Sequence, residues 1–206
     1  MQLQQLIQQR RSVKQFEPNY RLSTAEVTQL LDDAIHAPTS FNLQHWRFVR
    51  ISDPAMRKEI RAVAWDQVQV TDASELFVIV ADVKAWEREP ERYWASADTE
   101  KRGILLGMID EFYRGREWIQ RDEAIRSGAF AAQNMMLSAK SLGLDSCPMI
   151  GFNQEAVAKL INLPADHVIV MMVAVGKAAG DAWPRGGQLP LSELVFENQF
   201  SALALV

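Results

Sequence analysis

Cysteine occurs once in 206 residues, at Cys147, which excludes both an internal disulfide framework and a cysteine-rich metal site. Long apolar runs are also missing. No uncharged stretch exceeds 13 residues, at 34–46 and 127–139. A membrane-spanning helix needs about 20 apolar residues, so none is expected. Positive charge is not in excess: the net charge of -4 argues against general nucleic-acid binding. Met1-Gln2-Leu3-Gln4-Gln5 has neither the basic nor the apolar region of a secretory signal, and the expected address is the cytoplasm. His36, His45 and His167 are too scattered to suggest a metal cluster. A glycine-rich dinucleotide fingerprint, a P-loop, a His-x-x-x-His helix and a Gly-x-Ser-x-Gly elbow are all absent. Any redox chemistry must therefore be carried by a bound cofactor.

What is present is ordinary globular patterning, 48% hydrophobic and 23% charged, over a length that suits one domain at 1–206. Leu3, Leu6 and Ile7 fall at helical spacing and predict a short helix over 2–10. Ser23-Thr24-Ala25-Glu26 fits a capping box. Val27, Leu30, Leu31, Ala34 and Ile35 then make one apolar face that ends before Pro38. Residues 47–52 and 168–175 read as strands, as does the β-branched run Leu76-Phe77-Val78-Ile79-Val80-Ala81. Pro54 opens a helix of roughly ten residues. The most helical stretch is 125–142, with small residues for close packing and Gly143 past its end. A short extended piece at 146–150 follows, and Asn153 caps a helix holding Val157, Leu160 and Ile161. This order predicts a mixed three-layer α+β domain.

Two segments stand apart. Residues 86–123 hold 17 of the 48 charged residues and 6 of the 18 aromatics. That mixture predicts a helical excursion with a solvated face rather than a second core, striped by Ile104, Leu105, Met108, Ile109 and Phe112. The tail at 190–206 carries Leu191, Leu194, Val195, Phe196, Phe200, Leu203 and Leu205. A tail that apolar must pack against its own core or a partner.

Five short motifs offer chemistry. Arg10-Arg11-Ser12-Val13-Lys14 places three cations and a hydroxyl where they can surround a phosphate. Taken alone, such a cluster is more often a set of cations complementing a helix C-terminus. The joint 37–48 supplies polar atoms from Thr39, Ser40, Asn42 and Gln44 and apolar walls from Phe41 and Trp46. It is equally a loop in which Trp46 and Phe48 plug the core. Asp66-Gln67-Val68-Gln69 offers alternating amides that could read a polar ring edge, although solvent-facing polar residues are the commoner reading. In Cys147-Pro148-Met149-Ile150-Gly151-Phe152, proline and glycine flank an extended run whose backbone can approach a ligand closely. Cys147 itself has no nearby histidine or clustered cation in sequence, and reads as a buried structural thiol. Lys177 with Arg185 could complete an anion site or simply face solvent.

In order, these segments resemble the FMN-dependent nitroreductase family over nearly the whole chain. Arg10-Arg11-Ser12-Val13-Lys14 is similar to that family's phosphate motif. Residues 38–46 are similar to its Pro-Ser-Ser-x-Asn-x-Gln-Pro-Trp motif. Gln67-x-Gln69 with Asp72-Ala73-Ser74, the helix around Gln133-Asn134, and the loop at 147–152 match further family segments. The resemblance implies a mixed, mainly antiparallel three-layer fold and a homodimer with two FMN sites at the interface. Arg10, Arg11, Ser12 and Lys14 would hold the phosphate with Arg185. Asn42 and Gln69 would meet polar flavin edges, while Pro148, Met149, Ile150 and Gly151 line the other side. Pro38, Thr39, Ser40 and Phe41 belong to the same wall, with the last three reaching the partner's flavin. Apart from the resemblance, the charged-aromatic excursion could cover the acceptor slot through Trp94, Phe112, Tyr113 and Trp118, beside Phe41, or could equally be a plain surface helix pair. The implied cycle is ping-pong: NADPH or NADH reduces FMN, and a small acceptor such as a nitroaromatic or quinone reoxidises it, with no catalytic side chain. Dehydrogenation or dehalogenation by bound flavin, or flavin binding without turnover, are the alternatives. Two departures stand out. His45 replaces the proline before Trp46, and Gly186-Gly187-Gln188 replaces a second basic residue, which leaves Lys177 as a substitute.

Overall fold

The computed structural model describes residues 2–200. Its helices are α1 (Leu3–Gln9), α2 (Thr24–Ile35), α3 (Pro54–Ala62), α4 (Gln69–Asp72), α5 (Thr99–Tyr113), α6 (Glu117–Ser141), α7 (Gln154–Leu160) and α8 (Leu191–Leu194). Its strands are β1 (Trp46–Arg50), β2 (Glu75–Asp82), β3 (Asp145–Met149) and β4 (His167–Gly176), in the order β1-β2-β4-β3. Every ladder is antiparallel. The parallel character expected of a mixed sheet is confined to one isolated bridge, Ser12 to Ser146.

β2 explains the three layers. Its eight residues are all buried, so both faces of the strand must be covered. Phe77, Ile79 and Ala81 point to a core shared with Leu30 and Ala34 of α2 and Ala131, Ala132 and Met135 of α6. Leu76, Val78 and Val80 point the other way, to Ile60 of α3, Val70 of α4 and Val157 of α7. Strand periodicity of two thus sorts one run of sequence into two cores. The predicted capping box holds α2: Ser23 Oγ accepts from the Glu26 N–H at 3.2 Å, and Glu26 accepts from the Ser23 N–H at 2.7 Å. No helix of the described residues is long and apolar enough to cross a membrane.

Three expectations change. α6 begins at Glu117, a full two turns before the predicted 125, because its first turns are polar and carry no apolar stripe. The excursion does have its own small core, in which Ala85, Trp86, Ile109 and Tyr113 close around Leu43. Its helix α5 buries Ile109 and Tyr113, whereas Ile104 and Met108 of the predicted stripe face out. Leu203 and Leu205 of the apolar tail lie outside the described residues.

Candidate functional site

The chain assembles its cation cluster by clamping residues 12–17 between two neighbours. Val13 N–H donates to the Ser146 carbonyl at 3.0 Å, docking the segment beside β3. On the other side, Glu17 N–H donates to Lys177 O at 2.9 Å and Ala179 N–H to Gln15 O at 3.0 Å. The segment after β4 is thereby turned back over α1. Arg11 donates to the Trp183 carbonyl. Arg185 donates to Gln8 O at 3.0 Å and Arg10 O at 2.9 Å. A cavity of about 320 Å³ results, walled by Arg10, Arg11, Ser12, Lys14 and Arg185.

This geometry separates the two readings of the cluster. The cation that complements the α1 C-terminus is Arg185, through the last carbonyls of that helix. Arg10 is left with a buried Nη1 that has no hydrogen-bond partner among the described residues. Burial, followed by repulsion from Arg185 and Arg11, holds the Arg10 guanidinium below its ordinary pKa. A buried donor of positive charge without a partner is costly, and an anion in the cavity removes that cost. The residues therefore fit a phosphate group. Gly186, Gly187 and Gln188 line the same cavity. Gly187 has φ +120°, which disfavours any side chain at that position. Lys177 does not supply the second cation: it is not among the residues that line the cavity, and its ammonium lies over the Tyr20 ring, 5.9 Å from the centroid.

From the cavity, β3 leads to the loop at 148–151. Gln69 is buried rather than solvent-facing, because α4 packs it against β3. Its Nε2 lies 3.8 Å from Cys147 Sγ and 2.9 Å from Gln67 Oε1. Gln67 Nε2 in turn donates to Gly151 O at 2.8 Å. These amides tie the loop to the strand. Burial pushes the Cys147 thiol up, against the opposing pull of Lys14, Gln69 and Arg10. Cations absent from the neighbouring sequence thus do reach Cys147, but burial outweighs them. Pro148 is partly exposed, Met149 is buried and Ile150 is 72% exposed. Trp65 was not anticipated. Its indole is exposed and leans on Gly151, where a Cβ would lie 2.5 Å from the ring. Its only sequence signal was position, two residues before Gln67.

The joint is strained and braced. Phe41, Asn42 and Gln44 have φ of 50°, 55° and 46°, left-handed conformations that cost about 1–3 kcal/mol each. The excursion holds them there: Trp94 Nε1 donates to Phe41 O at 3.0 Å and Asn42 Nδ2 to Tyr93 O at 3.1 Å. Thr39 Oγ1 accepts from Gln44 N–H at 3.1 Å. Phe41 meets Phe112 at 5.8 Å and Tyr113 at 6.3 Å between ring centroids. Phe41 and Phe112 wall a shallow cavity with Met108 and Arg116. Trp46 is not a wall; it is buried in the main core, as the loop reading required. Tyr113 is wholly buried behind Phe41 and Phe112 and offers no surface to a ligand. Its hydroxyl lies near Ser40 without a well-formed hydrogen bond, and burial pushes the phenol up to about 12. No residue of the joint lines the phosphate cavity, and Asn42 makes its bonds to Tyr93 and Gln44 rather than to Gln69.

The profile of the nitroreductase family matches residues 7–177. The chain belongs to the nitroreductase family. It is 48% identical over 204 residues to protein DrgA of Synechocystis, covering 97% of each chain. It is 34% identical to YodC of Bacillus subtilis, provisionally named an NAD(P)H nitroreductase, covering 92% of this chain and 95% of that one. A provisionally named nitroreductase from Exiguobacterium sibiricum, solved in complex with FMN, superposes with a TM-score of 0.87 at 26% identity, covering 95% and 97% of the two chains. The α+β fold described above is the nitroreductase fold.

His45, where the family motif has proline, is 1% exposed, with Nδ1 3.0 Å from Ser127 Oγ. Burial lowers its pKa from 6.5 to about 4, with Asp82 opposing. The neutral ring is thus the folded form, and the unfolded chain binds the proton first. Stability from this group is complete above about pH 6.5 and is lost as pH falls towards 4. The expected loss is about 3 kcal/mol at about 1.4 kcal/mol per pKa unit. Urea unfolding between pH 7 and 4 should show this slope in the native chain and a flatter one in His45→Gln. Equal slopes would assign the acid limb to other groups.

Proposed function

We propose that the protein is a homodimeric, cytoplasmic FMN oxidoreductase of one domain that reduces small acceptors with NADH or NADPH. The observation that carries the reading is the unpartnered buried Nη1 of Arg10 at the phosphate cavity. Bound FMN would supply two-electron chemistry, between a reduced nicotinamide and an acceptor such as a nitroaromatic or quinone. Arg10, Arg11, Ser12 and Lys14 would hold its phosphate. Gln69 and the 148–151 backbone would face its ring system, which Trp65 borders. Thr39, Ser40, Phe41 and Asn42 would complete the partner subunit's site, since no residue of the joint lines the phosphate cavity of its own chain. Leu189, Leu191, Leu194 and Val195 are between 54% and 74% exposed, an apolar strip over 189–195 suited to a second copy. No side chain is asked to act as acid or base; the protein orients, excludes water and limits access.

Steady-state rates with NADH and a quinone at varied concentrations test the cycle. Parallel double-reciprocal lines are expected, and intersecting lines contradict it. Phe112 and Trp94 would set acceptor size, Phe112 through its contact with Phe41 and Trp94 through the hydrogen bond that braces it. Phe112→Ala should shift the kcat/KM ratio of a bulky to a small acceptor by roughly tenfold, the scale of about 1–3 kcal/mol for pocket contacts. An unchanged ratio removes the excursion from acceptor selection.

A further inference from the structure

A second cavity, of about 350 Å³, shares no wall with the phosphate cavity. It opens where α3 begins and β2 starts, and Arg21, Arg50, Arg57, Lys58, Ser74 and Glu75 line it. Four cations therefore face one carboxylate. Arg50 already engages Glu75 through both oxygens, at 2.7 Å each. Asp53, close in sequence, is committed to the N–H groups of Ala55 and Met56 at the start of α3.

Three positive charges remain without a carboxylate partner among the described residues. Arg57 is only 8% exposed and donates to Ile51 O at 2.8 Å, Ala73 O at 2.5 Å and Ser74 O at 3.0 Å. Those carbonyls fix the guanidinium in place, but they do not neutralise it. Among the described residues Arg21 bonds only to the carbonyls of Pro18 and Tyr20, and Lys58 is exposed on α3. Burial holds Arg57 below its ordinary pKa; Glu75 opposes this, while Arg21 and Arg50 add to it. In a chain whose net charge is -4, such a concentration of cations around a concavity is local and uncompensated.

We propose that this cavity is a second anion site, which binds a diphosphate-type group. An excess of three positive charges suits a diphosphate better than a single carboxylate, and the fixed Arg57 fork gives it a rigid floor. Arg21 and Lys58, both exposed, would close over it from the rim.

Titration calorimetry of the FMN-saturated protein with inorganic pyrophosphate at low ionic strength tests the site. Saturation with FMN keeps the probe out of the Arg10 cavity. Saturable binding is expected, weakened roughly tenfold or more in Arg21→Ala/Lys58→Ala and by added salt, with FMN content unchanged. Acetate should not compete. Absence of binding overturns the proposal, and so does equal affinity in the double variant. If the protein takes up no FMN, the double variant still discriminates, because neither substituted residue lines the Arg10 cavity.

Discussion

Arg10→Ala should weaken FMN binding by roughly a hundredfold or more. A charged hydrogen bond made in a desolvated pocket is worth about 1.5–3 kcal/mol, and the lost monopole adds to it. Arg10 is the cation whose Nη1 has no hydrogen-bond partner among the described residues. Its removal takes away attraction for the phosphate and breaks no internal hydrogen bond of that atom. Folding should be spared for the same reason, because relief of the repulsion among Arg10, Arg11 and Arg185 offsets lost packing. Arg185→Ala is the informative contrast. That residue holds the carbonyls at the end of α1, so its loss should lower stability as well as affinity. Quenching of free FMN fluorescence on titration with protein measures both variants. An Arg10→Ala affinity within threefold of native would place the phosphate elsewhere.

Asp82→Ala should cost about 2–4 kcal/mol of folding stability. Asp82 is wholly buried at the end of β2. Its carboxylate lies 3.4 Å from Arg47 and 3.7 Å from Arg88, and it accepts from the Lys84 N–H at 2.9 Å. His167 Nε2 is 4.0 Å away, and Nδ1 of the same ring is 2.7 Å from Asp166, which also pairs with Arg88. Although Asp82, Asp166 and His167 present ligand atoms within 4.8 Å of one another, Arg47 and Arg88 already supply the countercharge. The group acts as an ion-pair knot joining β1, β2 and β4. Breaking a buried pair costs about 3–5 kcal/mol when the survivor stays desolvated. Here the side chains of Arg47 and Arg88 are 38% and 45% exposed and can rehydrate, which lowers the figure. Urea unfolding at fixed pH checks it, with Asp82→Asn expected to lose less because its amide oxygen still accepts from Lys84. A loss under about 1 kcal/mol would show that the knot is solvated.

The helices and strands were legible where local physics decides them. The capping box before α2, Pro54 at the start of α3 and the β-branched run of β2 each announce their own element. Burial set by tertiary contact was not legible. Gln69 reads as polar and exposed, yet α4 packs it against β3. Tyr113 reads in sequence as a cover for the acceptor slot, because an aromatic in that segment could equally face a ligand or a core, and its packing with Leu43, Trp86 and Ile109 decides for the core. The roles of Arg10 and Arg185 were inseparable in sequence, because which cation reaches the α1 carbonyls depends on a chain return 175 residues away. Strain at Phe41 and Asn42 was hidden for a related reason. Phe41 disfavours a left-handed backbone and Asn42 tolerates one without requiring it, and the brace comes from Trp94 and Tyr93 in another segment.

The most direct test of the account is the visible spectrum of the purified protein, saturated with FMN and titrated anaerobically with NADH and then NADPH. The account predicts a yellow protein whose flavin band bleaches with at least one nicotinamide and returns when a quinone or nitroaromatic is added. A colourless protein that takes up no added FMN, or a bound flavin that neither nicotinamide bleaches, would contradict it.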